Sequence, residues 1–335
     1  MTNSVDSPPT AQAGATGWRW APHWVLAFVA LWPAPGYAEG IVVLGALAAI
    51  IKLVGSRFRG GAQLLSGPAW ALTSVLFFAY WLPEPLSAVG SVDPARALRE
   101  AVVDLRYLPF LWLVAIAVAD DRGRRLTFTG LAVIVAVWAF DALVEVVFDA
   151  SPLFQGIDAA KQAISGRPMC GLDELALADR LGGVLGPCNL KLGLVLASLS
   201  PFVLYTAARR WGMSGWVVAA AVVGVVIVFA GSRASWLTYA LVLLLSGWRL
   251  LGWKRLLLVF AAGAAVTVAI GLASPEVRQR LERTTHAFQV DPTGVDAALS
   301  GRARIWGAAL CMVQRHPVNG VGVRGFREAF PDCDP

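Results

Sequence analysis

Charge is scarce in this chain. Asp, Glu, Lys and Arg together make up 15% of its 335 residues, against about 25% in soluble domains. So few ionic groups cannot coat the surface of a water-soluble fold of this length. Histidine and cysteine are scarcer still, at 3 and 4 residues. Four Cys exclude a disulfide scaffold in so long a chain, and their spacing matches no zinc pattern. Residues 1–18 contain no Lys or Arg before the terminal Trp18, which excludes a signal peptide there, since its n-region is basic.

What the chain has instead is apolar surface: 57% hydrophobic residues and a mean hydropathy of +0.63. Apolar segments fall at 21–36, 38–54, 65–82, 107–119, 126–148, 188–208, 213–231, 234–250 and 255–273. Most approach the roughly 20 residues that cross a bilayer, so the sequence predicts an all-α, polytopic transmembrane helix bundle of about nine spans. The expected organisation is a disordered cytoplasmic tail over 1–20, the bundle over 21–273 and a large extracytoplasmic loop with short helices over 274–335. Pro33, Pro35 and Gly36 leave open that the first two segments are one broken helix.

The net charge of +6 suggests nucleic acid in a soluble protein. Here the basic residues cluster in short loops: Lys52, Arg57 and Arg59; Arg122, Arg124 and Arg125; Arg209 and Arg210; Arg249, Lys254 and Arg255. Such clusters mark cytoplasmic loops and set orientation, so no nucleic-acid partner is implied. The N-terminus is then cytoplasmic, and Trp18, Trp20, Trp211, Trp248 and Trp253 lie at the headgroup layer on that side. The other side carries 83–106, 149–187, the turn Gly231–Ala234 and everything after 274. A transporter of a lipid-linked anion, the competing class, needs polar groups at mid-span and internal repeats. Few mid-span charges and no inverted repeat are present, so the spans read as a scaffold for an external site. All four Cys (Cys170, Cys188, Cys311, Cys333) fall on the external side, where bridges or free thiols are both open and three pairings exist.

Three external stretches hold arginine: Asp179-Arg180 through Asn189, Gly231-Ser232-Arg233-Ala234-Ser235-Trp236, and Ser300-Gly301-Arg302 through Trp306, which opens a helix ending at His316-Pro317. Guanidinium presents paired planar donors that match phosphate oxygens, and an arginine at the hydrocarbon boundary needs an anionic partner. Snorkelling to lipid headgroups, or pairing of Arg180 with Asp173, Glu174 or Asp179, is the bland alternative. Asp141 and Glu145 share one face of the fifth segment. Carboxylates within a span flag function, with a salt bridge to an external arginine as the competing reading. His286, after Arg278, Arg280 and Arg283, reads as part of an interfacial basic helix. Gly320-Val-Gly322-Val-Arg324-Gly325 fits the dinucleotide fingerprint but follows a helix, not a strand. Its glycines are expected to turn the chain back toward the membrane, with Arg324 adding a phosphate contact.

Taken together, RLGGVLGPCNLKLGLVLA, GSRASWLTYALVLLL and GRARIWGAALCMVQRHPVNGVGVRGF resemble the bacterial O-antigen ligase/polymerase superfamily of lipid-linked glycan transferases. Arg302, Trp306, His316, Pro317, Gly320, Gly322 and Phe326 match that family's Arg-x-x-x-Trp … His-Pro-x-x-Gly-x-Gly-x-x-x-Phe stretch. The resemblance implies a glycosyltransferase of the inner membrane acting at the periplasmic face, without metal or other cofactor. The donor is a glycan on undecaprenyl pyrophosphate; the acceptor is lipid A–core or a growing polysaccharide. Arg180, Arg233 and Arg302 would hold the pyrophosphate, and His316 is the candidate base for the acceptor hydroxyl. In the family the loop continues to a further His and further spans. The resemblance therefore implies that this sequence stops at Pro335 inside that loop, and an inactive truncated member is the remaining alternative.

Overall fold

The computed structural model describes residues 18–58, 63–171, 181–273 and 302–334. Among these every regular element is helical. Ten of the elements come first: α1 (Ala21–Ala30), α2 (Pro35–Phe58), α3 (Gly67–Trp81), α4 (Pro83–Ala88), α5 (Pro94–Asp104), α6 (Tyr107–Ala117), α7 (Asp121–Phe148), α8 (Pro152–Ser165), α9 (Leu192–Phe229) and α10 (Arg233–Ala273), with a 3-10 turn at Gly183–Leu185 before α9. Two short helices, α11 (Arg302–Arg315) and α12 (Phe326–Cys333), end the chain.

Proline sets many of the starts. A proline occupies the first turn of α1, α3, α4, α5 and α8, where its fixed φ suits the helix and its missing N–H costs nothing. Ser66, Asp93, Asp120 and Ser151 cap α3, α5, α7 and α8 by accepting from the backbone N–H three residues on. The first two apolar segments are accordingly two helices, parted by a turn before Pro35.

Among the described residues, four helices are long and apolar enough to cross a membrane: Pro35–Phe58, Asp121–Phe148, Leu192–Phe229 and Arg233–Ala269. Each of the nine apolar segments falls on helix, but α1, α3 and α6 are short, at 10, 15 and 11 residues. The last two long helices are not straight. Gly212 (φ 64°) interrupts α9, and the chain folds back on itself there. A Cβ on Gly193 would lie 3.0 Å from the Cβ of Ala230, so the two ends of the element are neighbours. Gly252 (φ 71°) does the same to α10, placing Gly247 against Leu256 and Trp216. Both sites need a left-handed residue, which glycine adopts without a Cβ clash. At Gly231 the chain reverses again, and Tyr239 donates its hydroxyl to the Ala220 carbonyl (2.7 Å) across the two limbs.

The core is divided. Val42, Ala46, Phe110, Leu113 and Ile116 join α1, α2 and α6. Val135, Trp138, Leu196, Val226 and Ile227 join α7 to both limbs of α9. The outward faces of the long helices remain apolar, with Phe140 69% and Leu245 75% exposed. Surfaces of that kind suit lipid, not water.

Candidate functional site

Two of the arginine stretches flank α9, whose two ends are neighbours at one end of the bundle. The turn Gly182–Asn189 is built on glycine. Gly183 (φ 52°) lies against Leu192 and Ala142, and Gly186 (φ 80°) is pressed on the Phe154 ring. Glu145, near the end of α7, anchors this turn by accepting from the N–H of Gly182 (3.2 Å) and of Gly183 (2.5 Å). One turn earlier, Asp141 is buried and accepts from the Ser151 hydroxyl (2.7 Å) and the Leu153 N–H (3.0 Å), while Ser151 caps α8. Among the described residues both carboxylates thus bind neutral donors: Glu145 fixes the turn that follows Arg180, and Asp141 fixes the start of α8. Arg180 itself lies outside the described residues, as do Asp173, Glu174, Asp179 and His286.

The second stretch packs on the start of α9, just after the first. Gly193, at the start of α9, has no room for a Cβ, which would sit 2.7 Å from Ser235 Oγ. Ser235 is fully buried and donates to the Ser232 carbonyl (2.7 Å), and Trp236 Nε1 donates to the Ile227 carbonyl (3.0 Å). These contacts hold the Gly231–Ser235 turn rigid and place Arg233, exposed, as the first residue of α10. The site thus pairs a guanidinium with the N-terminal end of a helix, whose backbone N–H groups and dipole favour an anion.

The third stretch forms a separate unit. α11 and α12 are joined by a disulfide, Cys311–Cys333, over a small core of Ala308, Met312 and Ala329. The other bridge, Cys170–Cys188, ties the end of the 149–187 loop to the glycine turn. These two bridges select one of the three pairings open in the sequence. Arg302 and His316 are exposed at the two ends of α11. Arg304 pairs instead with Asp334 and lies over the Phe330 ring.

This C-terminal unit docks on the α4–α5 hairpin, which the sequence showed only as a loop. Asn319 Nδ2 donates to the Val89 carbonyl (2.7 Å), the Val92 N–H donates to the Val321 carbonyl (3.3 Å), and Arg96 pairs with Glu328 (2.6 Å). Gly322 (φ 89°) lies so close to Ser91 that no Cβ fits. The glycine-rich stretch thus forms a docking joint with the hairpin. Arg324 pairs with Glu100 at 3.2 Å. The hairpin carries further carboxylates. Burial raises Glu84 above the usual carboxylate range, with help from Asp104 and Glu100, and burial raises Asp104 against the opposing pull of Arg106. Arg106 pairs with Glu39 at the adjoining end of α2. Arg96, Arg106 and Glu100 carried no motif, so sequence reading passed over them.

Residues 217–333 match the family model described as O-antigen ligase, a segment that contains Arg233, Arg302, His316 and Arg324. Comparison with curated proteins and with solved structures gives no match.

Proposed function

We infer from the match over residues 217–333 that the chain belongs to the O-antigen ligase superfamily. We propose that it transfers a glycan from undecaprenyl pyrophosphate to an acceptor hydroxyl, on lipid A–core or a growing polysaccharide, at the periplasmic face of the inner membrane. The observation that carries the reading is the position of Arg233. It lies inside the matched segment, at a helix start whose Ser235 packs on Gly193, in the first turn of the helix that the glycine turn leads into.

In the proposed reaction the acceptor oxygen attacks the anomeric carbon of the donor sugar. The bond from that carbon to the phosphate oxygen breaks, and undecaprenyl pyrophosphate leaves with the electron pair. Negative charge grows on the leaving group, and Arg233 and Arg180 stabilise it, with Arg302 as a third cation. His316 takes the hydroxyl proton, since a neutral imidazole suits that task near pH 7. Glu145 acts at one remove, as a positioning residue for the turn after Arg180, and Asp141 holds the start of α8, whose Phe154 packs on Gly186 of that turn. Arg324, paired with Glu100, fixes the unit that bears His316.

Reconstituted transfer from a lipid-linked glycan to an acceptor tests this. Arg233→Lys keeps the charge but loses the paired donors, and is expected to lower transfer at least tenfold with unchanged protein level. His316→Ala is expected to abolish it. Undiminished transfer in Arg233→Lys and Arg233→Ala would remove Arg233 from the site, and the reading with it.

A further inference from the structure

The opposite end of the bundle carries a cavity that the glycosyl-transfer reading does not use. α1 and α7 both begin there, and Leu26 lies against Gly130 further along the same pair. Between the two starts is a cavity of about 300 Å³, walled by Trp18, Arg19, Trp20, His23, Asp120 and Arg122 and floored by the end of α6. That volume is at the lower end of the range for small-molecule sites, about 300–1,000 Å³.

The charges around it are unbalanced. Arg19 and Arg122 are exposed, and among the described residues neither is in an ion pair. The nearby carboxylates are committed elsewhere. Asp120 accepts from the Gly123 N–H (2.6 Å) to cap α7, and Asp121 pairs with Arg124. The Arg19 guanidinium lies 5.6 Å from the centre of the Trp20 ring, and that ring lies 5.2 Å from the His23 ring. The cavity therefore has two guanidinium groups, an imidazole and the positive ends of two helix dipoles, opposed by the negative end of α6 and one carboxylate already in use.

The surroundings say which anion. α7 is one of the helices apolar enough to cross a membrane, and Leu126 continues the cavity wall along it. Two indoles stand at the rim, and indoles favour the headgroup layer. We infer that the cavity binds a phosphate-bearing headgroup, with Arg19 and Arg122 on the phosphate oxygens and Trp18 and Trp20 beside the glycerol and upper acyl chain. The source is an anionic phospholipid of the leaflet at this basic end. This rests on α7 spanning the membrane and is independent of the transfer reaction.

Lipid titration of the purified full chain, followed by native mass spectrometry, tests the site. Phosphatidylglycerol is the probe, phosphatidylethanolamine the zwitterionic control and inorganic phosphate the competitor. One saturable phosphatidylglycerol is expected, at least fivefold tighter than phosphatidylethanolamine. Arg19→Gln and Arg122→Gln should each weaken it about fivefold, the scale of one basic residue at an anionic surface. Arg57→Gln, at the same end on α2, should leave it unchanged. Monodisperse elution and unchanged helicity show that the variants fold. Retention of the lipid in the presence of millimolar phosphate assigns the site to a headgroup. Displacement by phosphate, still sensitive to the two arginines, keeps the anion site but makes its occupant a soluble phosphate compound. Equal binding of both lipids, or a double variant that binds like the unmodified protein, overturns the proposal.

Discussion

Asp141 shows how far a single residue can be read before its partners are known. Its place in an apolar segment marks it as costly, and a buried carboxylate persists only with donors around it. The donors are the Ser151 hydroxyl and the Leu153 N–H, both on the far side of the helix end. Asp141→Ala leaves those donors unpaired in a buried place, which costs about 1–3 kcal/mol. The expected outcome is a lower thermal midpoint in detergent for Asp141→Ala with Arg233→Lys unaffected. Equal midpoints for Asp141→Ala and the unmodified protein would show that the contact carries no weight. Gly183→Ala belongs with it, because φ of 52° is strained for alanine and the new Cβ would lie 2.9 Å from Leu192. The sequence displayed the carboxylates and the glycines, but not that Glu145 binds Gly182 and Gly183. A contact between residues 37 and 38 positions apart leaves no periodic trace.

At the scale of elements, the apolar runs located the helices because burial and lipid contact impose their own pattern on composition. The fold-backs at Gly212 and Gly252 were legible too, through the glycines and the flanking Arg209, Arg210, Lys254 and Arg255. What stayed hidden was the docking of the C-terminal unit on the α4–α5 hairpin, whose contacts join residues 230 and 232 positions apart. Gly322→Ala is the decisive variant there, since Ser91 occupies the space a methyl group needs. Hydrogen exchange is expected to rise together at 87–100 and 319–328 while the α7–α9 core stays protected; change in one segment alone would break the proposed joint. Reducing Cys311–Cys333 is a second test. The bridge spans 22 residues, and a loop of that size is worth about 3 kcal/mol. Reduction should loosen α11 and α12, read as faster proteolysis after residue 302, with the bundle intact. The Arg96–Glu328 pair is partly exposed, so its removal alone should cost under about 1 kcal/mol.

For the whole molecule the question is which end faces which compartment, and three observations point the same way. The basic clusters Arg122, Arg124, Arg125, Arg209 and Arg210 sit where α7 begins and where α9 folds back. The contacts of Asn319, Val321 and Glu328 place the C-terminal unit at the hairpin end instead. Both disulfides lie in segments of that second kind, and disulfides persist in oxidising compartments. The expected arrangement has the hairpin and C-terminal unit outside and the basic turns inside. Among the described residues no cysteine is free, so a single introduced cysteine can report its own position. Leu86→Cys and Val318→Cys, at exposed sites on the two halves of the joint, should react with an impermeant maleimide in intact cells. Arg122→Cys and Arg209→Cys should react only after permeabilisation. The four positions constrain one another: because Asn319 touches Val89, Leu86 and Val318 must label together. Labelling of Arg122→Cys from outside would reverse the orientation and put Arg233 on the wrong face for a periplasmic donor. It would move the headgroup cavity to the outer leaflet without removing it.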